Sequence, residues 1–335
     1  MSTSASPRGA ATATTPADGQ PEGHHGFGIT DAGLVLMAVI WGVNYSVVKA
    51  GLASMAPLVF NGARMLLAAV VLFAIAALVR DAKWPSRADT LRLMALGLLG
   101  NGLYQLLFIF GLARTRAGVA ALIVAAGPAW IAIISRLLGR ERVSTKGWLG
   151  IGLQLVGVGC VVGSTNSIDG GPEVMLGAAL IATGSIAWGL FSVLLQPYTQ
   201  RAHPMHLSAI TMASGAGVML IAAAPGMVAL DWGTLSPGAW GAVAYAGIGA
   251  LVVAYLLFYR GVRVLGPTRT SLYSNLQPVI ALAVAWVMLH ETPTGWQLTG
   301  AGFIMAGLLL SRLSRMKPAK VDELADAEAS TGVGT

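Results

Sequence analysis

The sequence predicts an all-α integral membrane protein whose ten transmembrane helices form two inverted five-helix repeats. Three observations carry that prediction: a composition too apolar for water, ten apolar runs of spanning length, and an internal repeat at a fixed offset. Of the 335 residues, 55% are hydrophobic and only 10% charged, and the mean hydropathy is +0.71. A soluble domain carries about 25% charged residues, so this chain has too little charge to coat a water-facing surface. Soluble, disordered and disulfide-scaffold classes are excluded together. Cys160, the single cysteine, sits in an apolar run and can form no intrachain bridge. The five histidines (His24, His25, His203, His206 and His290) are read as lying outside the apolar segments. Neither a buried metal site nor any cofactor is therefore expected.

A spanning helix needs about 20 mostly apolar residues. Ten runs meet that length: 32–52, 57–79, 92–112, 117–138, 147–165, 174–196, 205–229, 239–259, 268–289 and 295–314. Trp84-Pro85-Ser86, Asp169-Gly170-Gly171-Pro172 and Gly266-Pro267 supply turn chemistry between runs, and Pro225 interrupts the seventh. Residues 1–29 are rich in Ala, Ser, Thr, Pro and Gly, and lack the basic and apolar regions of a signal peptide. Residues 317–335 are polar. Both ends read as solvated tails flanking two repeats, 31–165 and 174–314.

The net charge of +7 would suggest nucleic acid in a soluble protein, but position decides otherwise. With the N-terminus inside, the inner loops and tails hold 17 of the 21 Lys and Arg. The outer loops hold Lys49, Arg114 and Arg116. That asymmetry follows the positive-inside rule, calls for no nucleic acid, and predicts both termini in the cytoplasm.

The repeat is the strongest organisational signal. Gly111 through Pro128 to Glu141 lies over Gly261 through Pro278 to Glu291 at a constant offset of 150, without a gap. Gly147-Trp148 then matches Gly295-Trp296, and Trp41-Gly42 matches Trp188-Gly189. Five spans per half force the second half to cross the membrane in the opposite sense. Two such bundles enclose a cavity that can open to either side at similar energy, which is what a carrier needs. The alternative is an old duplication that merely builds a stable bundle.

Polar side chains in the spans indicate where a cavity lies. Asn101, Tyr104, Gln105 and Phe108 follow i, i+3, i+4, i+7 on one helix face. Trp41, Asn44 and Tyr45 do so on the first span, Ser185, Trp188 and Ser192 on the sixth, and Ser271, Ser274, Asn275 and Pro278 on the ninth. An unsatisfied amide facing lipid costs several kcal/mol, so these stripes are expected to converge on a shared interior. The Ser and Thr members are assigned to hydrogen bonds between helices. Arg64 is the one charge well inside a span. It can meet a substrate carboxylate, satisfy helix-end carbonyls, or snorkel to the interface. No Asp or Glu lies deep in any span, and no Walker loop is present. Pro128 and Pro278, at matched mid-helix positions, read as hinges or fixed kinks. Gly150, Gly152, Gly157, Gly159 and Gly163, with Gly300, Gly302 and Gly307, read as close bundle packing or a homodimer seam.

Trp41-Gly42-Val43-Asn44-Tyr45 with Lys49, then Pro57 and Arg64, then Ala120-Ala121-Leu122 through Pro128 to Gly139-Arg140-Glu141-Arg142, and the glycine-rich fifth span, resemble the EamA repeat of the drug/metabolite transporter superfamily. The resemblance covers residues 31–314. It implies a ten-helix carrier in a bacterial cytoplasmic membrane that exports amino acids or similar small metabolites, and it implies no enzyme. It also implies a central cavity lined by Trp41, Asn44, Asn101, Tyr104, Gln105, Trp130, Trp188, Tyr255, Ser271, Asn275 and Gln277. The rivals are a membrane-embedded enzyme acting on lipid-linked substrates, for which His290-Glu291 is the nearest titratable pair, and a non-transporting membrane subunit.

Overall fold

The computed structural model describes residues 28–79, 82–164, 171–199 and 201–313. The predicted tails lie almost wholly outside the described residues. Helix α1 (Ile29–Gly51) crosses first, and α2 (Pro57–Leu78) starts on a proline whose missing N–H costs nothing at a helix start. The third span is composite: α3 (Arg87–Gly97), a π-helical stretch (Leu98–Leu103) and α4 (Tyr104–Arg114). Ser86 caps it by accepting the Asp89 N–H at 3.2 Å. The fourth span is α5 (Ala117–Ala125) and α6 (Gly127–Leu137), broken at Ala126. Pro128 causes the break, because its ring lacks an N–H and crowds the carbonyl of Val124. Then come α7 (Thr145–Gly163), α8 (Gly171–Thr199) and α9 (Pro204–Ala229), which runs through Pro225 without the predicted interruption.

The eighth span joins α10 (Pro237–Ala244), a second π-helical stretch (Tyr245–Val253) and α11 (Ala254–Ser274). Helices α12 (Leu276–Leu289) and α13 (Gly295–Leu313) complete the chain. The turn predicted at Gly266-Pro267 is helical in backbone, yet the chain does reverse there. A Cβ on Gly261 would lie 3.0 Å from Thr270 Oγ1, whereas nine residues of straight helix span about 13 Å. The second break in the ninth span falls at Asn275, three residues before Pro278.

The packing displays the pseudo-two-fold directly. Span one packs on eight and nine, as span six packs on three and four; span two packs on eight, as seven packs on three. Related spans also meet each other, and they run antiparallel. Gly157 meets Gly300, and Gly150 meets Gly307 on α7 and α13. Gly62 of α2 meets Ala223 of α9, while His206 bonds the Ala76 carbonyl at the other end. Antiparallel pairing of equivalent helices requires an axis in the membrane plane, so the repeat is inverted. The glycines at these seams act within the chain: a Cβ on Gly157 would lie 2.6 Å from the Gly300 carbonyl oxygen, while Gly152, Gly159 and Gly302 face open space.

Two expectations need correction. His206 belongs to α9 and is fully buried, stacked on Trp84 at 4.1 Å between ring centres. It sits in the apolar segment with its ring face covered by Trp84 and its Nε2 at 3.3 Å from the Ala76 carbonyl. Ser185 and Ser192 donate to the carbonyls of Ile181 (3.0 Å) and Trp188 (2.7 Å) of their own helix, not to a neighbouring one.

Candidate functional site

Members of the stripes on spans one, three and six converge on one cavity of about 270 Å³, which Ser274, Asn275 and Pro278 of the ninth-span stripe do not line. Trp41, Asn44 and Tyr45 of α1 form one wall, and Tyr104, Gln105 and Phe108 of α4 another. Trp188 of α8, Tyr255 and Phe258 of α11, and Gln277 of α12 close it, with Arg64 entering from α2. The π-stretch of span eight contributes Ala250, whose carbonyl accepts Trp41 Nε1–H at 2.9 Å. A π turn releases carbonyls from the regular i→i+4 ladder, and the indole donor takes one of them. The aromatic lining is mutually braced: Trp41 meets Tyr255 edge-on at 5.5 Å, and Tyr104 meets Trp188 at 5.0 Å. Gln277 donates to the Tyr45 hydroxyl at 3.3 Å.

Arg64 is the electrostatic centre. It is 1% exposed, so the snorkelling alternative does not apply. Its Nε donates to Asn61 Oδ1 and its Nη2 to Gln105 Oε1, both at 2.7 Å. Asn61 in turn donates to the Gln105 backbone carbonyl at 3.4 Å, and the guanidinium carbon lies 5.7 Å from the Phe108 ring centre. Every one of these partners is neutral. Among the described residues no carboxylate pairs with Arg64, and the cavity lining contains no Asp or Glu. The guanidinium is oriented but its charge is not balanced. On the same lining, Asn44 Oδ1 is buried without a hydrogen-bond partner.

The remaining predicted residues lie elsewhere. Asn101 is 5% exposed and packs against Gly215 of α9 instead of lining the cavity. The reason is the π-helical stretch at 98–103: its wider turn rotates Asn101 off the face that Tyr104 and Gln105 share. Trp130 packs beside Gly189, where a Cβ would meet its own Cβ at 3.2 Å. Asn275 sits at the break between α11 and α12. The Ser271 side chain lies outside the described residues. Pro128 is exposed and Pro278 buried, each beside a break in its span.

Sequence reasoning missed three features. Asn61 stands three residues before Arg64 on the same helix face, and that spacing was the available signal. Phe258, Ala250 and Leu251 carried none, because an apolar residue facing a cavity reads like one facing lipid. Asp31 is 3% exposed in the first turn of α1, where it accepts the Tyr273 hydroxyl at 2.6 Å. A carboxylate is therefore buried at one end of a span, though far from the cavity centre. His290-Glu291 forms no reactive pair: the Glu291 carboxylate is occupied by the N–H groups of Ala117 and Gly118 at 3.0 and 3.1 Å.

Comparison with known proteins agrees with the two-repeat membrane fold. The EamA-like transporter family matches residues 28–163 and again 175–313. The inner membrane transporter YedA of Escherichia coli K12, itself called uncharacterized, is 30% identical over 86% of this chain and 92% of its own. The uncharacterized transporter YyaM of Bacillus subtilis is 27% identical over 82% of this chain and 91% of its own. A protein of Salmonella typhimurium named a probable amino-acid metabolite efflux pump is 28% identical over 83% and 92%. A solved crystal structure shares the fold, with a TM-score of 0.58 at 20% identity over 84% of this chain and 96% of that one. Two matching repeats, a multi-pass bundle and a polar central cavity make the chain a membrane transporter rather than an enzyme, and it belongs to the EamA-like transporter family.

Proposed function

We propose that the protein is a secondary transporter that exports amino acids or related small metabolites by alternating access, with both termini in the cytoplasm. One observation carries the substrate class: the cavity lining holds both an oriented, uncompensated guanidinium, Arg64, and an acceptor without a partner, Asn44 Oδ1. A carboxylate completes the first, at the low dielectric where such a pair is strongest. An ammonium or amide N–H completes the second. The rings of Trp41, Tyr104, Trp188 and Tyr255 offer apolar contact to the rest of the molecule. The name of the Salmonella relative supports the same class. The excess of Lys and Arg in the loops assigned to the cytoplasm supports the orientation.

The test is uptake of radiolabelled amino acids into proteoliposomes of purified protein. Saturable uptake is expected, and Arg64→Gln lowers it about thirtyfold, the low end of the cost of removing one partner of a buried charge pair. Absence of saturable uptake of any amino acid or small carboxylate by folded wild-type protein rejects the proposal.

A further inference from the structure

The two glutamates that the repeat aligns are in different states. Glu291 follows α12 in the second half, and both its oxygens accept from the first two N–H groups of α5 in the first half, Ala117 and Gly118. Each bond is charge-assisted, at the helix end where negative charge is favoured. The contact is reinforced around its rim. Arg116 reaches the Thr292 carbonyl at 3.5 Å, and a Cβ on Gly118 would lie 2.9 Å from Leu282 of α12. Lys49 ties α1 to the end of α4 through the carbonyls of Leu112, Ala113 and Thr115. The first halves of spans four and nine thus differ: α5 packs along α12, while among the described residues α6 and α11 do not pack in this way.

At the offset of 150, Glu291 corresponds to Glu141, Gly118 to Thr268 and Ala117 to Pro267. Glu141 is half-buried, and among the described residues its carboxylate makes no hydrogen bond. We infer that Glu291 and Glu141 are alternating latches, each closing its own face by accepting from the start of a span in the other half, and that only one is engaged at a time. Resting on the alternating-access reading above, the Glu291 latch is the outer one, and it is shut here. The two latches are unequal. Pro267 has no N–H, so of the two positions equivalent to Ala117 and Gly118 only Thr268 offers Glu141 a backbone donor, where Glu291 takes two. The state closed on the cytoplasmic face is therefore the less stable, and the resting cavity favours the cytoplasm, the side from which an exporter loads.

The experiment uses intact cells and the full chain carrying Cys160→Ala and a reporter, Leu282→Cys, placed behind the outer latch. Labelling by a membrane-impermeant maleimide then reads how often the outer face opens. Glu291→Gln raises the labelling rate about tenfold, the effect of losing one charge-assisted hydrogen bond. Pro267→Ala also raises it, by adding an inner donor, and Glu141→Gln lowers it. Rates within twofold of the parent for both Glu291→Gln and Pro267→Ala, or a rise with Glu141→Gln, overturn the inference. Should Glu291→Gln fail to fold, Pro267→Ala and Glu141→Gln still decide, since neither touches the closed latch. Flux measured in the same strains separates the two proposals. Labelling that shifts without flux in the parent keeps the latches and removes the transport reading; flux in the parent with unresponsive labelling does the reverse.

Discussion

Arg64 owes its position to two neutral oxygens. Placing a guanidinium inside a span costs about 2.5–3.5 kcal/mol on insertion scales, and Asn61 and Gln105 offset part of that by holding it at 2.7 Å. Gln105→Ala leaves the charge with one acceptor fewer, a loss of about 1.5–3 kcal/mol. Substrate affinity in a thermal-shift titration is expected to fall at least tenfold. Asn101→Ala, by contrast, removes a side chain packed on Gly215 and leaves that affinity within about twofold. Equal losses in the two variants would contradict the placement of the site. Both amides stood out in the sequence for the same reason, as polar groups in an apolar run. Only the structure separates them, because a π turn rotates one off the shared face, and no residue type announces a π turn. The glycines at 100, 102, 247 and 249 permit one without requiring it.

At the scale of elements, the α7–α13 seam holds the two halves together. Lipid tails are as apolar as leucine, so helices in a bilayer associate through close packing rather than the hydrophobic effect. Gly157 and Gly300 allow that approach, and Gln154 Nε2 adds a bond to Ser311 Oγ at 3.2 Å. Gly157→Leu is expected to destabilise the protein by about 1–3 kcal/mol through overpacking. Gly152→Leu, facing open space one turn and a half away, has much less effect. Thermal unfolding in detergent distinguishes them, and similar shifts in both would show that the seam is not where the fold is held. The glycine spacing made close packing legible in advance, but not its partner, since a stripe of small residues looks the same whether it meets another helix of the chain or a second copy. The proline-linked breaks at Ala126 and Asn275 were legible because the missing N–H acts locally. At Gly266-Pro267 the reversal was legible but its helical backbone was not, because turn residues mark a change of direction and not the dihedrals that make it.

At the scale of the molecule, a gapless offset of 150 residues and five spans per half were enough to imply inversion, since an odd number of crossings leaves no other topology. The matched π stretches and matched breaks then give each half the same bent walls around Arg64. Among the differences that break that symmetry at the helix starts, Ala117 against Pro267 removes a backbone donor from one half. Counterflow tests the central claim most directly: proteoliposomes preloaded with an unlabelled amino acid or related carboxylate, with entry of the labelled compound followed from outside. A carrier with one site exposed alternately to each face returns faster when loaded, so internal substrate is predicted to accelerate entry severalfold, and Arg64→Gln to abolish the acceleration. Entry that is indifferent to, or slowed by, internal substrate would contradict alternating access through this cavity.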